Sequence, residues 1–134
     1  MNMAQNNKLV LLKVALVLFI VITFVYGIGY LFFPQSLISM SGSEPVPSGW
    51  LRWPGGVLLS LTIGAILVFQ KPEKQSAMII TFALGTLFTG LALVYNLFFS
   101  MVGSLSFTLI PTILLFVSSG LLWWSWFAAR DILK

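Results

Sequence analysis

Residues 76–100 read SAMIITFALGTLFTGLALVYNLFFS and contain no charged side chain. At ~1.5 Å per residue, a helix of this length covers the ~30 Å hydrocarbon core of a bilayer. Similar apolar runs lie at residues 9–33, 53–70 and 105–128. In lipid, a single chain with runs of this length satisfies its backbone hydrogen bonds only as helices. The sequence therefore predicts an all-α membrane protein, with residues 1–134 forming one bundle of four transmembrane helices.

The overall composition agrees with a lipid environment. Hydrophobic residues make up 59% of the chain and charged residues only 7%, whereas about a quarter of a soluble domain is charged. The net charge of +4 comes from basic residues that stand singly or in pairs at the predicted membrane boundaries. Membrane topology explains this distribution more simply than nucleic-acid binding. We expect membrane lipids as partners, and no nucleic acid.

The distribution of lysine and arginine predicts the orientation. With the N-terminus inside, nearly all basic residues fall on the cytoplasmic side: Lys8, Lys13, Lys71, Lys74, Arg130 and Lys134. Only Arg52 then lies outside, so both termini are predicted to be cytoplasmic and the loop at 34–52 external. The first apolar run is too long for a signal peptide, and we expect an uncleaved first span.

Aromatic and serine-rich segments are expected at the membrane surfaces. Rings with a polar edge prefer the headgroup level, so we interpret three clusters as aromatic belts rather than as a ligand site. These clusters are Tyr26, Tyr30, Phe32 and Phe33; Trp50 and Trp53; and Trp123, Trp124 and Trp126.

In the external loop, residues 34–42 alternate apolar side chains with serines, a pattern that predicts a short helix lying on the outer leaflet.

The residues that most enzymes use are missing from the sequence. The chain has no cysteine and no histidine, which excludes thiol chemistry, a histidine base and histidine-bound metal. Its acidic residues are Glu44, Glu73 and Asp131, all predicted in loops or at helix ends. We therefore predict no catalytic residues, no metal site, no cofactor and no enzymatic activity.

One candidate binding site lies at the predicted start of the second span. Arg52 is followed by Trp53, Pro54, Gly55 and Gly56. Proline in a first turn and exposed backbone N–H groups are typical of a helix start, where an anion such as a lipid phosphate can bind. The alternative is that Arg52 only anchors the helix at the interface, paired with Glu44 or with a headgroup.

Small residues recur at helical spacing on two of the predicted spans. Such residues allow helices to approach closely in lipid, where no hydrophobic effect drives association. On the second span they are Gly56, Ser60 and Gly64, and on the third they are Ala77, Thr81, Gly85, Thr89, Ala92 and Asn96. We expect these faces to pack against each other or against a partner.

Several segments together resemble a known family. The first helix ends with Gly29-Tyr30-Leu31-Phe32-Phe33-Pro34; Arg52, Gly55 and Gly56 open the second, Lys71 to Lys74 form a basic turn, and Tyr95-Asn96 lies near the end of the third. Over most of its length the chain thus resembles the DoxX-like small four-helix bacterial membrane proteins, which are of largely unknown function. The family name comes from a subunit associated with a terminal quinol oxidase. The resemblance implies a four-helix bundle in a bacterial inner (plasma) membrane.

These observations leave three functions open. The first expectation is a non-catalytic accessory or structural subunit of a larger membrane complex, with a membrane-protein partner or further copies of itself. The alternative is a small binder or carrier of a lipid or other apolar ligand. An oligomeric channel or transporter comes third, because no charge at mid-span marks a pathway.

Overall fold

A computed structural model describes residues 3–99 and 103–133 of the chain. Within these ranges the structure is all-helical and contains α1 (Met3–Phe32), α2 (Pro34–Ser41), α3 (Gly49–Gln70), α4 (Ser76–Phe99) and α5 (Leu105–Ala129). Four of the described helices, α1, α3, α4 and α5, are long and apolar enough to cross a membrane. An all-α fold with four candidate spans is therefore confirmed, as in a multi-pass membrane protein.

The helix boundaries differ most from the predicted ones at the starts of α1 and α3. α1 begins at Met3 rather than at residue 9, because its polar N-terminal residues continue the helix. α3 begins at Gly49 rather than at residue 53, and the N–H of Arg52 already donates to the carbonyl of Ser48. The predicted end of the third span, residue 100, lies outside the described residues. The short helix expected within residues 34–42 is present as α2.

The long helices form two closely packed pairs. α1 packs extensively on α3, and α4 packs extensively on α5, while α1 also contacts α5 and so joins the pairs. α3 and α4 contact each other little. We call the end of the bundle that carries α2 the α2 end. The opposite end carries the turn at residues 71–75 and is called the turn end.

The first pair is held by a close crossing of α1 and α3. A Cβ atom added to Gly55 would lie 2.7 Å from the backbone nitrogen of Leu31, and one added to Gly27 would lie 2.9 Å from Cδ2 of Leu59. Both distances are far shorter than a normal carbon contact. Glycine is therefore required at position 55, where the contact is with the backbone of α1, whereas at position 27 the nearest atom belongs to the flexible side chain of Leu59.

A buried hydrogen bond reinforces the same helix pair. Oγ1 of Thr62 on α3 donates to Oγ1 of Thr23 on α1 over 2.9 Å. Oγ1 of Thr23 in turn donates to the carbonyl of Phe19, also over 2.9 Å. Both hydroxyls are thus satisfied inside the protein, as is required at a depth where lipid offers no partner.

The second pair is held by polar contacts along its length. Oγ of Ser119 on α5 donates to the carbonyl of Ala83 on α4 over 3.0 Å. Nearer the turn end, Nε1 of Trp126 donates to Oγ of Ser76 over 2.6 Å. These bonds fix α4 against α5 independently of α3.

The α2 end is closed on one side by a link between α2 and the start of α5. The N–H of Ser104 donates to the carbonyl of Ser41 over 2.7 Å. Gly103 has φ +92, and an added Cβ would lie 2.5 Å from the same carbonyl oxygen. Glycine is therefore needed both for the backbone conformation and for the close approach.

The hydrophobic core is concentrated toward the turn end. Its largest fully buried side chains are Phe82, Leu12, Leu16, Ile79, Leu122 and Leu133. In α1 these buried positions lie in the half of the helix nearer the turn end. Packing is thus dense at the turn end, and this leaves room toward the α2 end.

The α1–α3 crossing predicts a contrast between two adjacent glycines. Gly55→Ala should lower the free energy of unfolding by about 1–3 kcal/mol, because its methyl group collides with the backbone of α1. Gly56→Ala is the control, since nothing lies within 4 Å of an added Cβ and alanine favours the helix by up to ~1 kcal/mol. Circular dichroism during SDS titration in mixed micelles measures both. Equal stabilities of the two variants would contradict the crossing.

Two neighbouring serines in α5 should also differ. Ser119→Ala should destabilise the protein by ~0.6–1.7 kcal/mol, because it removes the hydrogen bond to Ala83. Ser118 is fully buried, and its Oγ has no hydrogen-bond partner among the described residues. Ser118→Ala should therefore leave stability unchanged or increase it. The same SDS titration tests this, and a greater loss for Ser118→Ala would refute the assignment.

Candidate functional site

An apolar cavity of about 350 Å³ lies between the four long helices. Such a volume is at the lower end of the range for small-molecule sites. Toward the turn end the cavity stops at the rings of Phe19 and Phe82, which stack with their centroids 4.7 Å apart. Toward the α2 end it extends to Tyr30 and Phe107. The cavity thus extends from the middle of the bundle toward the α2 end.

The cavity opens where α3 and α4 diverge. Its walls include Leu58 and Leu61 from α3, and Thr89 and Leu93 from α4. Gly64 of α3 approaches α4 near the turn that joins the two helices, where an added Cβ would be 3.7 Å from the side chains of Met78 and Phe82. Beyond this contact the helices separate, so the opening faces the side of the bundle, where lipid surrounds a transmembrane protein.

Small residues of α4 help to create this space. Gly85 lines the cavity, and nothing lies within 4 Å of a Cβ added to it. Thr81 and Thr89, one turn before and one turn after, also line the cavity and are exposed. A large side chain at any of these positions would fill the opening.

The threonine hydroxyls of the wall are already bonded within their own helix. Oγ1 of Thr81, Thr86 and Thr89 each donates to the carbonyl four residues earlier, over 2.8–3.0 Å. Their hydrogen atoms are therefore not available to a ligand. These threonines contribute mainly methyl groups to the cavity.

Tyr26 and Tyr30 are the polar residues of the cavity that remain unbonded. They lie one turn apart on α1, are half-buried, and have ring centroids 5.8 Å apart. Within residues 3–99 and 103–133, neither phenol hydroxyl forms a hydrogen bond. Both rings are among the side chains that line the cavity.

Sequence reasoning assigned these two tyrosines to an aromatic belt and missed their place in the cavity. The signal that could have found them is their spacing from Phe19 and Thr23. Phe19, Thr23, Tyr26 and Tyr30 recur every three or four residues and so share one face of α1. Phe19 and Thr23 on this face are both buried.

The residues of the predicted anion site lie together in α3 and differ in exposure. Arg52 and Trp53 are exposed, whereas Gly55 is buried against α1, and Gly56 has open space beside it. Because α3 starts at Gly49, the amides of both glycines lie inside the helix rather than in its first turn. Within the described ranges, no ion pair joins Arg52 to any acidic residue.

The two small-residue stripes are not packed against each other in the part of the chain that the structure describes. The reason is that α3 is held on α1 and α4 on α5, so the two helices meet only near the turn end. Gly56 and Gly64 are half-buried, and the exposed members are Ser60, Ala77, Thr81, Gly85, Thr89, Ala92 and Asn96. The stripe on α4 instead lines the cavity through three of its residues.

A second, more open groove of about 320 Å³ lies on α1 and the end of α3, lined by Val10, Lys13, Val14, Val17 and Phe69; unlike the cavity between the helices, it is lined by two helices only. The described residues contain no group of three or more histidine, cysteine, aspartate or glutamate side chains that could hold a metal ion.

No family model matches the chain, and no curated protein or solved structure shows significant similarity to it. The function has therefore to be inferred from the cavity itself.

Proposed function

We propose that this protein binds an apolar, chain-shaped ligand within the membrane, in the cavity between α1, α3, α4 and α5. The observation that supports the proposal is an apolar space of about 350 Å³ lined by all four long helices, next to the gap between α3 and α4, which contact each other little. A ligand dissolved in lipid reaches such an opening without crossing water. The proposed activity is that of a small binder or carrier.

The dimensions of the cavity fit part of one hydrocarbon chain. From Phe19 to Tyr30, α1 rises ~16 Å at ~1.5 Å per residue. One water molecule occupies ~30 Å³ in the liquid. The cavity volume of about 350 Å³ is therefore roughly that of a dozen groups of this size. A segment of a single hydrocarbon chain is therefore the ligand whose size best matches this space.

The energetics of this binding differ from those of a pocket in water. Lipid tails are as apolar as leucine, so a ligand that arrives from lipid gains little from the hydrophobic effect. The affinity of the ligand comes instead from van der Waals contacts with the cavity walls, which lack close neighbours when the cavity is empty. The cavity therefore favours ligands whose shape matches it better than an ordinary lipid tail does.

An accessory or structural subunit of a larger complex is the second candidate. The same divergence of α3 and α4 exposes Ser60, Ala77 and Ala92, where a helix of a partner or of a second copy can approach closely. Purification with another chain at fixed stoichiometry would favour this candidate. No specific observation favours an oligomeric channel or transporter.

We place the turn end in the cytoplasm of a bacterial cell, with the bundle in the inner membrane. Lys71, Lys74 and Arg130 are exposed at the turn end, against Arg52 at the α2 end, and basic residues accumulate on the cytoplasmic side. The resemblance to DoxX-like proteins supports the same placement. The cavity then occupies the outer half of the bilayer.

The orientation can be tested directly, because the chain contains no cysteine. Glu44→Cys and Glu73→Cys place matched thiols at exposed positions near opposite ends of the bundle. In intact cells, a membrane-impermeant maleimide should label Glu44→Cys and should label Glu73→Cys only after lysis. Labelling of Glu73→Cys alone in intact cells would reverse the proposed orientation.

Filling the cavity should weaken the binding of an alkyl chain. Gly85→Phe should weaken binding of a pyrene-labelled alkyl chain in nanodiscs by about tenfold or more (~1.4 kcal/mol), because the ring occupies the cavity. Gly120→Phe is the matched control, since Gly120 is exposed, lies outside the cavity and has open space beside it. Energy transfer from tryptophan to pyrene measures both. Unchanged binding by Gly85→Phe would rule out the cavity as the site.

A further inference from the structure

We infer that Tyr26 and Tyr30 select, among apolar chains, those that carry an uncharged oxygen at one end, such as an ester carbonyl, a ketone or a hydroxyl. This inference rests on the proposed function and names the class of ligand that the cavity takes. The chain lies against the stacked Phe19 and Phe82 rings, and the oxygen lies at the two phenols.

The first argument is the state of the hydroxyl groups that line the cavity. Thr86 and Thr89 each donate to a carbonyl of their own helix. In the described part of the chain, the hydroxyls of Tyr26 and Tyr30 have no such partner. A hydroxyl without a partner is unfavourable in hydrocarbon. A ligand that supplies an acceptor therefore binds better than a plain alkane of the same shape.

The second argument is charge. Among the described residues, no lysine, arginine, aspartate or glutamate lines the cavity. Arg52 and Glu44, the charged residues at the α2 end, are exposed and outside it. A phosphate or carboxylate group inside would lose its hydration without gaining a partner. The end of the ligand within the cavity is therefore uncharged.

The third argument is the position of the two phenols. Tyr30 lies two residues and Tyr26 six residues before the end of α1 at Phe32, so they are ~3 Å and ~9 Å from that end along the axis. The rings are 5.8 Å apart. A carbonyl oxygen has two lone pairs and can accept from both hydroxyls. The pair thus fits an oxygen close below the membrane surface, with its chain extending toward mid-membrane.

Two sources can provide this chemistry. One is the ester carbonyl of a bilayer phospholipid, with one of its chains in the cavity and its charged headgroup outside. The other is a free uncharged lipid that enters entirely. Both present an apolar chain that ends in an uncharged oxygen.

The test compares two pyrene-labelled chains of equal length in nanodiscs, one ending in a methyl ester and one in a methyl group. The unmodified protein should bind the ester about tenfold more tightly. Tyr26→Phe combined with Tyr30→Phe keeps both rings and should remove this preference while alkane binding is unchanged. Tyr95→Phe is the matched control, since Tyr95 is exposed on α4 and outside the cavity, and it should retain the preference.

The outcomes separate the two claims. Equal binding of both probes by the unmodified protein, or an ester preference that survives in the double variant, would overturn the role of the tyrosines and leave the proposed function standing. Failure of both probes to bind would overturn the proposed function itself. Native mass spectrometry of the purified protein distinguishes the two sources of the ligand, because it should detect either a phospholipid or a smaller uncharged lipid. Detection of a second protein chain in place of a lipid would overturn both claims.

Discussion

The close contact between α1 and α3 is the constraint on which the rest of the structure depends. Gly55 lets the two backbones meet, so that α3 is committed to α1 along much of its length. The hydrogen bond from Ser119 to Ala83 commits α4 to α5 in the same way. Because α3 is held by α1 and α4 is held by α5, α3 and α4 are left apart. The cavity is the space that results.

The membrane is what makes such an opening tolerable. In water, an apolar cleft of this kind would lower its free energy by closing. In lipid, the exposed walls meet hydrocarbon as apolar as themselves, and the helices gain nothing from the hydrophobic effect by coming together. Because lipid is as apolar as the cavity walls, apolar contacts alone distinguish poorly between one ligand and another. A binder in this setting needs polar groups to distinguish one lipid from another, and Tyr26 and Tyr30 are placed to provide them.

The fold was largely predictable from sequence, and the site was not. Length and hydropathy are enough to identify spans, because lipid permits only one backbone solution to a long apolar run. Pairing of helices depends on contacts between distant residues, which periodicity alone cannot assign. Gly55 was predicted as part of an anion site, and nothing in the sequence indicated that it also lies against the backbone of α1. The stripe through Gly85 was predicted as a packing surface, and its place in the wall of a cavity was not foreseen. Tyr26 and Tyr30 were assigned to an aromatic belt from their depth, and the face of α1 that they share with Phe19 was not considered.

The divergence of α3 and α4 is tested most directly by pulsed electron paramagnetic resonance in bilayers. One pair of spin labels, at Ser60→Cys and Phe88→Cys, reports on the open part of the α3–α4 interface; a second pair, at Leu67→Cys and Ala77→Cys, reports on the turn end. All four positions are exposed, and the native chain has no competing cysteine. A clearly longer distance for the first pair than for the second is the predicted result. Equal distances for both pairs would mean that the helices pack along their whole length and that no cavity exists.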